Sequence, residues 1–246
     1  MSIFVIPMAG LSSRFFKAGY EVPKYQLPVN QQTMFDWSVS SFKKYFSTDK
    51  FLFIVRDVYD TPEFVKIQCE KLGIREFHIH ILERETLGQA ETVFLGLSNY
   101  SSHLDSSEDI IIFNIDSKRI NYSKPDWLNS VDGYLELFEG EGDHWSFAQL
   151  DDSNNVIRTT EKQRISEYCS DGLYHFKNLA TYRETYQDTL VNQKLEKDEL
   201  YIAPLYNYLV EKGCIIKGDV ICNNLISFAG TPDEYLQILG EMNDFN

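Results

Sequence analysis

Directly after a short apolar run the chain reads Ala9-Gly10-Leu11-Ser12-Ser13-Arg14. One glycine and two serines leave backbone N–H and hydroxyl groups free to cradle phosphate oxygens, and the guanidinium adds a fork-shaped cation. Pro23-Lys24 follows in the same loop and brings a second cation within reach of the same phosphates. The stretch is neither G-x-x-x-x-G-K-[ST] nor G-x-G-x-x-G. On its own it also fits an ordinary tight strand–helix connection, and an isolated lysine is usually just solvated. Two further groups invite the same double reading. Asp116 closes an apolar run and would serve as a metal ligand or as a simple strand cap. Glu161-Lys162 would hold a polar substrate or stand as a solvated pair. Asp151-Asp152 lies in a Ser-Asn-Asn turn and reads as turn chemistry. His78 and His80 share a strand face but have no third ligand in view, so packing is the better reading. Ser12 and Ser13 lack the G-x-S-x-G setting of a hydrolase nucleophile.

The elements that must position these residues alternate. Ile3–Met8 is a continuous apolar strand, and Thr33–Phe46 is a helix with Thr33 as N-cap. Phe51–Val55 is a strand, and Thr61-Pro62-Glu63 opens a helix that stops at Gly73. Phe77–Leu82 (strand), Gln89–Leu97 (helix) and Ile110–Asp116 (strand) complete the pattern. This order predicts an α/β fold, a mostly parallel sheet covered by helices on both faces, with ligands at the carboxyl ends of the strands. After residue 120 the character changes. Gly133–Phe138, His144–Asp151, Val156–Lys162 and Leu173–Phe176 read as successive strands. Leu200–Lys212 is an amphipathic helix, Cys214–Ile221 and Leu225–Phe228 are strands, and Thr231-Pro232-Asp233-Glu234 caps a last helix. The expectation is one domain over 1–246, with a nucleotide-binding half (1–120) and a smaller β-rich half (121–246) closing over a second substrate.

Composition narrows the function. The 246 residues carry 23 Lys plus Arg against 37 Asp plus Glu, a formal net charge of −14. Such a surface repels phosphate backbones and argues against nucleic acid as a partner, although a local cationic pocket can still take a nucleotide. The longest apolar runs are strand length, short of the ~20 residues a membrane span needs. Cys69, Cys169, Cys214 and Cys222 are scattered without C-x-x-C spacing, which suggests neither a zinc site nor a disulfide framework. A cytoplasmic protein is expected.

Taken together, these segments resemble a known family. The stretch IPMAGLSSRFFKAGYEVPKYQLPV is similar to the signature loop of the nucleotidyltransferases that activate sugar phosphates, roughly A-G-x-G-x-R and then P-K. Thr86-Leu87-Gly88-Gln89-Ala90 resembles the family's nucleobase loop, and Asn114-Ile115-Asp116 stands where it places a metal-binding Asp. Glu161-Lys162 resembles its acceptor-holding pair. Ser170–Phe176 resembles the following strand, and Phe228-Ala229-Gly230-Thr231-Pro232 the terminal G-T-P turn. The resemblance implies a Rossmann-like, GT-A-type fold and a reaction between a nucleoside triphosphate and a phosphorylated acceptor. It assigns Ala9, Gly10, Ser12, Ser13, Thr86 and Gly88 to the nucleotide, Arg14 and Lys24 to catalysis, Glu161 and Lys162 to the acceptor, and Asp116 to Mg²⁺. It also implies surface-polysaccharide or capsule biosynthesis and favours a homo-oligomer.

Three departures stand out. Ser12 replaces the loop's second glycine, Ile115 precedes Asp116 where glycine is common, and Phe228 occupies the place of a second metal-binding Asp. Asp219 is the nearest acidic substitute, unless Asp116 holds the ion with phosphate oxygens and water. The departure at Phe228 favours CTP over UTP or dTTP. A GT-A-type glycosyltransferase and a non-catalytic nucleotide-binding homologue are the competing readings. The paired cations, suited to a departing pyrophosphate, argue against the first. Retention of Arg14, Lys24, Asp116 and Lys162 together argues against the second.

Overall fold

The computed structural model describes residues 1–192 and 199–243. Its first half comprises β1 (Ser2–Pro7), α1 (Ser13–Lys17), the minimal strands β2 (Pro28–Val29) and β3 (Gln32–Thr33), α2 (Met34–Val39), β4 (Lys50–Arg56), α3 (Thr61–Leu72), β5 (Glu76–Leu82), α4 (Gln89–Tyr100), β6 (Asp109–Phe113) and β7 (Ser117–Arg119). The second comprises β8 (Gly133–Glu139), β9 (Ser146–Leu150), β10 (Val156–Glu161), β11 (Tyr168–Phe176), α5 (Leu179–Val191), α6 (Tyr206–Glu211), β12 (Ile216–Val220), β13 (Ile226–Phe228) and α7 (Pro232–Asn243).

β1 pairs in parallel with β4 and β6, and β4 with β5, giving the order β6-β1-β4-β5. The winding direction reverses between β1 and β6, so the loops leaving their carboxyl ends diverge and open a crevice. Those loops carry Ala9–Ser12 and Asn114–Asp116. On its other side β6 takes β11 antiparallel, and β11 in turn pairs with β8 and β9, so one nine-stranded sheet runs through both halves. The expected Rossmann-like α/β architecture is thus observed, parallel through the first half and mixed where the second half joins.

Side-chain alternation builds the two layers. Ile3, Val5, Leu52, Ile54, Ile110 and Ile112 face α4, α5 and α6, where Ala90, Val93, Tyr182 and Leu209 complete a largely aliphatic cluster. The alternate residues Phe4, Phe51, Phe53 and Phe113 face the other side and meet Phe35 and Phe42. Both faces are buried, which explains why these strands read as unbroken apolar runs.

Several elements differ from expectation. The helix begun at Thr33 is tightened after Val39 into a 3₁₀ stretch, Ser40–Tyr45; its start is a capping box between Thr33 and Asp36. β6 stops at Phe113, and Asn114–Asp116 leave the strand in a turn. The helix expected from Leu200 forms only as a 3₁₀ turn over Ala203–Leu205 followed by α6. α5 was not foreseen. Its inward face is Tyr182, Thr185, Tyr186 and Thr189 in place of aliphatics, which blurs the apolar period. His78 stacks on Tyr100 at 4.9 Å and His80 hydrogen-bonds Asn99, the packing roles anticipated for them.

One buried polar cluster corrects an expectation. The β11–β8 register shifts between Ser170 and Tyr174, and this bulge sets the Asp171 carboxyl against Glu136. Arg119 Nε donates to Glu136 Oε1 at 2.6 Å, and Asp219, opposite Glu136 on β12, faces the same guanidinium. Asp219 is therefore a member of this cluster and lines neither of the clefts that Asp116 lines; among the described residues Arg119 is the cation that serves the three carboxyl groups. Asp171 Oδ2 is buried without a hydrogen-bond donor beside the Glu136 carboxyl, and a proton held between the two carboxyls would satisfy it. Burial, and then the Glu136 carboxylate, push the Asp171 carboxyl well above its ordinary range. The folded state therefore keeps a proton that the unfolded chain releases near pH ~4. Stability falls as the pH rises from there through the folded-state value. Asp171→Asn, whose amide can donate to Glu136, is expected to raise the Tm at pH 8 and to shrink the Tm difference between pH 5 and pH 8. An unchanged difference in thermal melts at the two pH values would refute the shared proton.

Candidate active site

The loop after β1 turns through Ser12, which adopts a left-handed conformation (φ 50°) immediately before α1. Ser12 Oγ accepts from the Lys24 N–H at 3.2 Å, so the small residue in place of glycine ties the two cation-bearing segments together. The loop after β5 is held from within. Glu91 Oε1 accepts from Arg84, and its Oε2 accepts from the Leu87 N–H at 2.5 Å. Burial alone would raise the Glu91 carboxyl, but Arg84 and this N–H outweigh it and hold it below its ordinary value. Gly88 stands at φ 145°, where an added Cβ would lie 2.6 Å from the Leu200 carbonyl. Glycine here lets the Leu200 backbone close over the loop through the Leu200 N–H to Leu87 and the Ala90 N–H to Leu200. These loops enclose a cleft of about 560 Å³ lined by Met8–Ser12, Lys24, Tyr25, Glu85–Gln89 and Asn114–Asp116, among others. Among the described residues of its wall, Lys24 is the one cationic side chain, beside Glu85, Asp116 and Glu199.

The carboxyl end of β6 is held by a two-stranded ribbon. β7 pairs with β13, Phe228 opposite Ser117, and the Ala229 N–H donates to the Asp116 carbonyl at 2.7 Å. This brings the Gly230-Thr231 turn and the start of α7 against Asp116. A Cβ on Gly230 would sit 3.1 Å from Asp116 Oδ2 and 3.5 Å from Glu234 Oε2. Glu234 Oε2 also accepts from the Thr231 N–H at 2.8 Å. Beyond lies a second cleft of about 270 Å³, with Trp145, Phe228 and Tyr201 on its walls and Glu161, Ser146 and Asp171 among its polar groups. Phe228 packs on Trp145 at 4.8 Å and on Phe138 at 5.1 Å, so the position lacking a carboxylate supplies an aromatic wall. Lys162 takes a left-handed backbone (φ 52°) just after β10, uncommon for a non-glycine residue and a form of strain that clusters at ligand sites.

Among the described residues the two clefts share three, Gln89, Asn114 and Asp116. Gln89 Nε2 donates to Asn114 Oδ1, and Lys24 Nζ pairs with Asp116 Oδ2 at 2.6 Å. Two ligands held side by side would meet at this wall. No family model and no curated protein sequence matches the chain. A solved structure does: the nucleoside-diphosphate-sugar pyrophosphorylase from Vibrio cholerae RC9 is 50% identical over 96% of this chain and 99% of its own, with a TM-score of 0.93. The chain belongs to the nucleoside-diphosphate-sugar pyrophosphorylase family. It is a sugar-phosphate nucleotidyltransferase. Two more distant structures share its fold: a putative glucose-1-phosphate thymidylyltransferase from Bacillus anthracis (16% identity, TM-score 0.75, covering 100% of this chain and 97% of its own) and the inositol-1-phosphate CTP transferase from T. maritima (16%, 0.73, 98% and 96%).

In this pyrophosphorylase most of the anticipated residues converge. Ala9, Gly10, Ser12, Lys24, Thr86, Gly88 and Asp116 line the first cleft, and Arg14 and Glu161 the second. Arg14 thus lies on a different cleft from Lys24, the other cation of the loop. Three residues line neither cleft: Ser13, exposed at the head of α1, Asp219 in the Arg119 cluster, and Lys162. The Lys162 ammonium lies one side chain back, 2.5 Å from the Tyr201 hydroxyl and 3.6 Å from Glu161. Burial works against its charge, but Tyr201, Glu161 and Glu199 more than offset that and hold it above its ordinary value. Tyr201 faces the second cleft in its stead. Sequence reasoning missed Glu234, whose only signal, a Thr-x-x-Glu capping box, is structural in most helices. It also missed Gln89 and Asn114, which carry no charge to single them out.

Proposed function

We propose that this nucleotidyltransferase moves an NMP from an NTP, with CTP favoured over UTP or dTTP, onto a sugar 1-phosphate and releases pyrophosphate. The observation that carries the reading is the junction at Gln89, Asn114 and Asp116, where a cleft bordered by the Ala9–Ser12 and Thr86–Gly88 loops meets one walled by aromatic and carboxylate groups. Residues 1–120 would hold the nucleotide and 121–246 the acceptor.

An acceptor phosphate oxygen attacks the α-phosphorus in line; the bond from that phosphorus to the bridging oxygen breaks, and its electron pair leaves with pyrophosphate. No covalent enzyme intermediate is needed. The backbone of Ala9–Ser12 and the Ser12 hydroxyl cradle phosphate oxygens, while Thr86 and Gly88 border the base. Lys24 moves onto the α-phosphate, where negative charge develops. Arg14 neutralises charge between the incoming phosphate and the departing pyrophosphate. Trp145 and Phe228 offer stacking faces to the sugar. Glu161 accepts from its hydroxyls, with Lys162 acting through Tyr201.

A triphosphate facing one lysine and several carboxylates needs further positive charge. Asp116 and Glu234, all-oxygen donors whose carboxylates flank Gly230, fit Mg²⁺, and the Lys24 ammonium already marks a cation position there. When bound, Mg²⁺ would supply charge neutralisation between the phosphates. The role proposed is a cytoplasmic one that supplies surface-polysaccharide or capsule synthesis, as the family resemblance implies.

The test is pyrophosphate release with Mg²⁺, crossing each NTP with a panel of phosphorylated sugars, alcohols and amino acids. Release that depends on CTP and one sugar 1-phosphate is expected. Release with UTP or dTTP alone would overturn the base assignment, and no release with any pair would overturn the reaction.

A further inference from the structure

The Lys24–Asp116 pair lies at the one carboxylate that both clefts share and that the metal assignment above requires. Its two side chains are 19% and 27% exposed, so neither is locked into the core. The Lys24 backbone stays anchored through its N–H to Ser12 Oγ, which leaves the four-carbon stem free to swing. A Cβ on Gly230 would lie 3.1 Å from Asp116 Oδ2 and 3.5 Å from Glu234 Oε2, so both carboxylates crowd the same glycine. Two carboxylates from separate elements thus approach one point, and the cation now paired with Asp116 is an ammonium.

We propose that Lys24 is the resident cation of the metal site, so that a divalent ion enters with the triphosphate and not before it. The inference rests on the metal role assigned to Asp116. An ammonium and a dication in contact with the same carboxylate oxygen repel each other strongly. A lone ion must displace Lys24 from its 2.6 Å contact with Asp116 while no phosphate is present to receive the ammonium. An incoming triphosphate changes that balance: its oxygens offer Lys24 a new partner and free Asp116. One side chain would then serve as counter-ion in the free enzyme and as phosphate ligand in the loaded one.

The probe is Mn²⁺ alone, without nucleotide or acceptor, with free ion counted by electron paramagnetic resonance at 0.15 M salt to screen distant charges. Wild-type protein should bind weakly. Lys24→Met, and independently Lys24→Gln, should bind Mn²⁺ at least ~10-fold more tightly, equivalent to about 1.4 kcal/mol. Adding Asp116→Asn to either variant should abolish the gain. Tight binding by the wild type, affinity unchanged in both folded lysine variants, or a gain that survives Asp116→Asn would each overturn the proposal. The readout involves no base and no acceptor, so a wrong substrate assignment would show in pyrophosphate release and leave this result untouched.

Discussion

Lys24→Ala is expected to lower kcat by at least ~100-fold while the protein remains folded. The side chain is partly exposed and packs in no hydrophobic cluster, so truncation opens no cavity. The 3₁₀ turn Lys24–Gln26 that bears it keeps its backbone anchor to Ser12. What disappears is the single cationic side chain on the described wall of the first cleft, and with it, under the proposed reaction, charge placed beside the α-phosphate oxygens where negative charge builds. An interaction realised mainly in the transition state depresses kcat more than substrate affinity. Calorimetry with an unreactive NTP analogue should therefore show a smaller change than turnover does. Near-normal turnover would move Lys24 out of the catalytic step.

Asp116→Asn is expected to have an effect at least as large, a loss of ~100-fold or more in turnover, together with a raised Mg²⁺ requirement. The amide nearly matches the carboxylate in shape, and the Asp116 carbonyl keeps its bond from the Ala229 N–H, so the β7–β13 ribbon should be undisturbed. The substitution removes the charge on which Lys24 rests and the hard anionic oxygen suited to a divalent ion. Titrating Mg²⁺ against pyrophosphate release separates the two consequences. An unchanged Mg²⁺ dependence at reduced rate would leave Asp116 as a counter-ion for Lys24 alone, and normal turnover would place the metal elsewhere.

The first half of the fold was legible because its strands are buried on both faces and therefore read as uninterrupted apolar runs, while Thr33, Thr61-Pro62 and Gly73 punctuate the helices. The loops around Arg14, Lys24, Gly88 and Asp116 stood out because small residues and cations follow one another there in an order that resembles the family's, and the structure brings Lys24, Gly88 and Asp116 to one cleft. Harder to see was anything set by pairing across long separations. The insertion of β11 beside β6, the bulge that sets Asp171 against Glu136, and the ribbon that brings Glu234 to Asp116 all depend on partners many residues away. Asp219 looked like a metal ligand because nearness to the G-T-P turn in sequence stood in for nearness in space; Arg119 draws it into a separate cluster. α5 escaped because tyrosine and threonine form its buried face.

The position of β11 bears on how the chain acquires its structure during synthesis. Ile110–Phe113 find a parallel partner early in β1, but their other flank stays open until Tyr168–Phe176 have left the ribosome. Ser117–Arg119 wait longer still, for Ile226–Phe228. A nascent chain halted near residue 120 would present an apolar strand with unpaired amides, a template for intermolecular pairing. The first cleft, which also takes Glu199 and the Leu200 backbone from the second half, is therefore not expected to form in a fragment ending near residue 120. The same stretch that completes the sheet also supplies Ser170 and Asp171 to the second cleft, so completion of that cleft and escape from aggregation arrive together, late in translation.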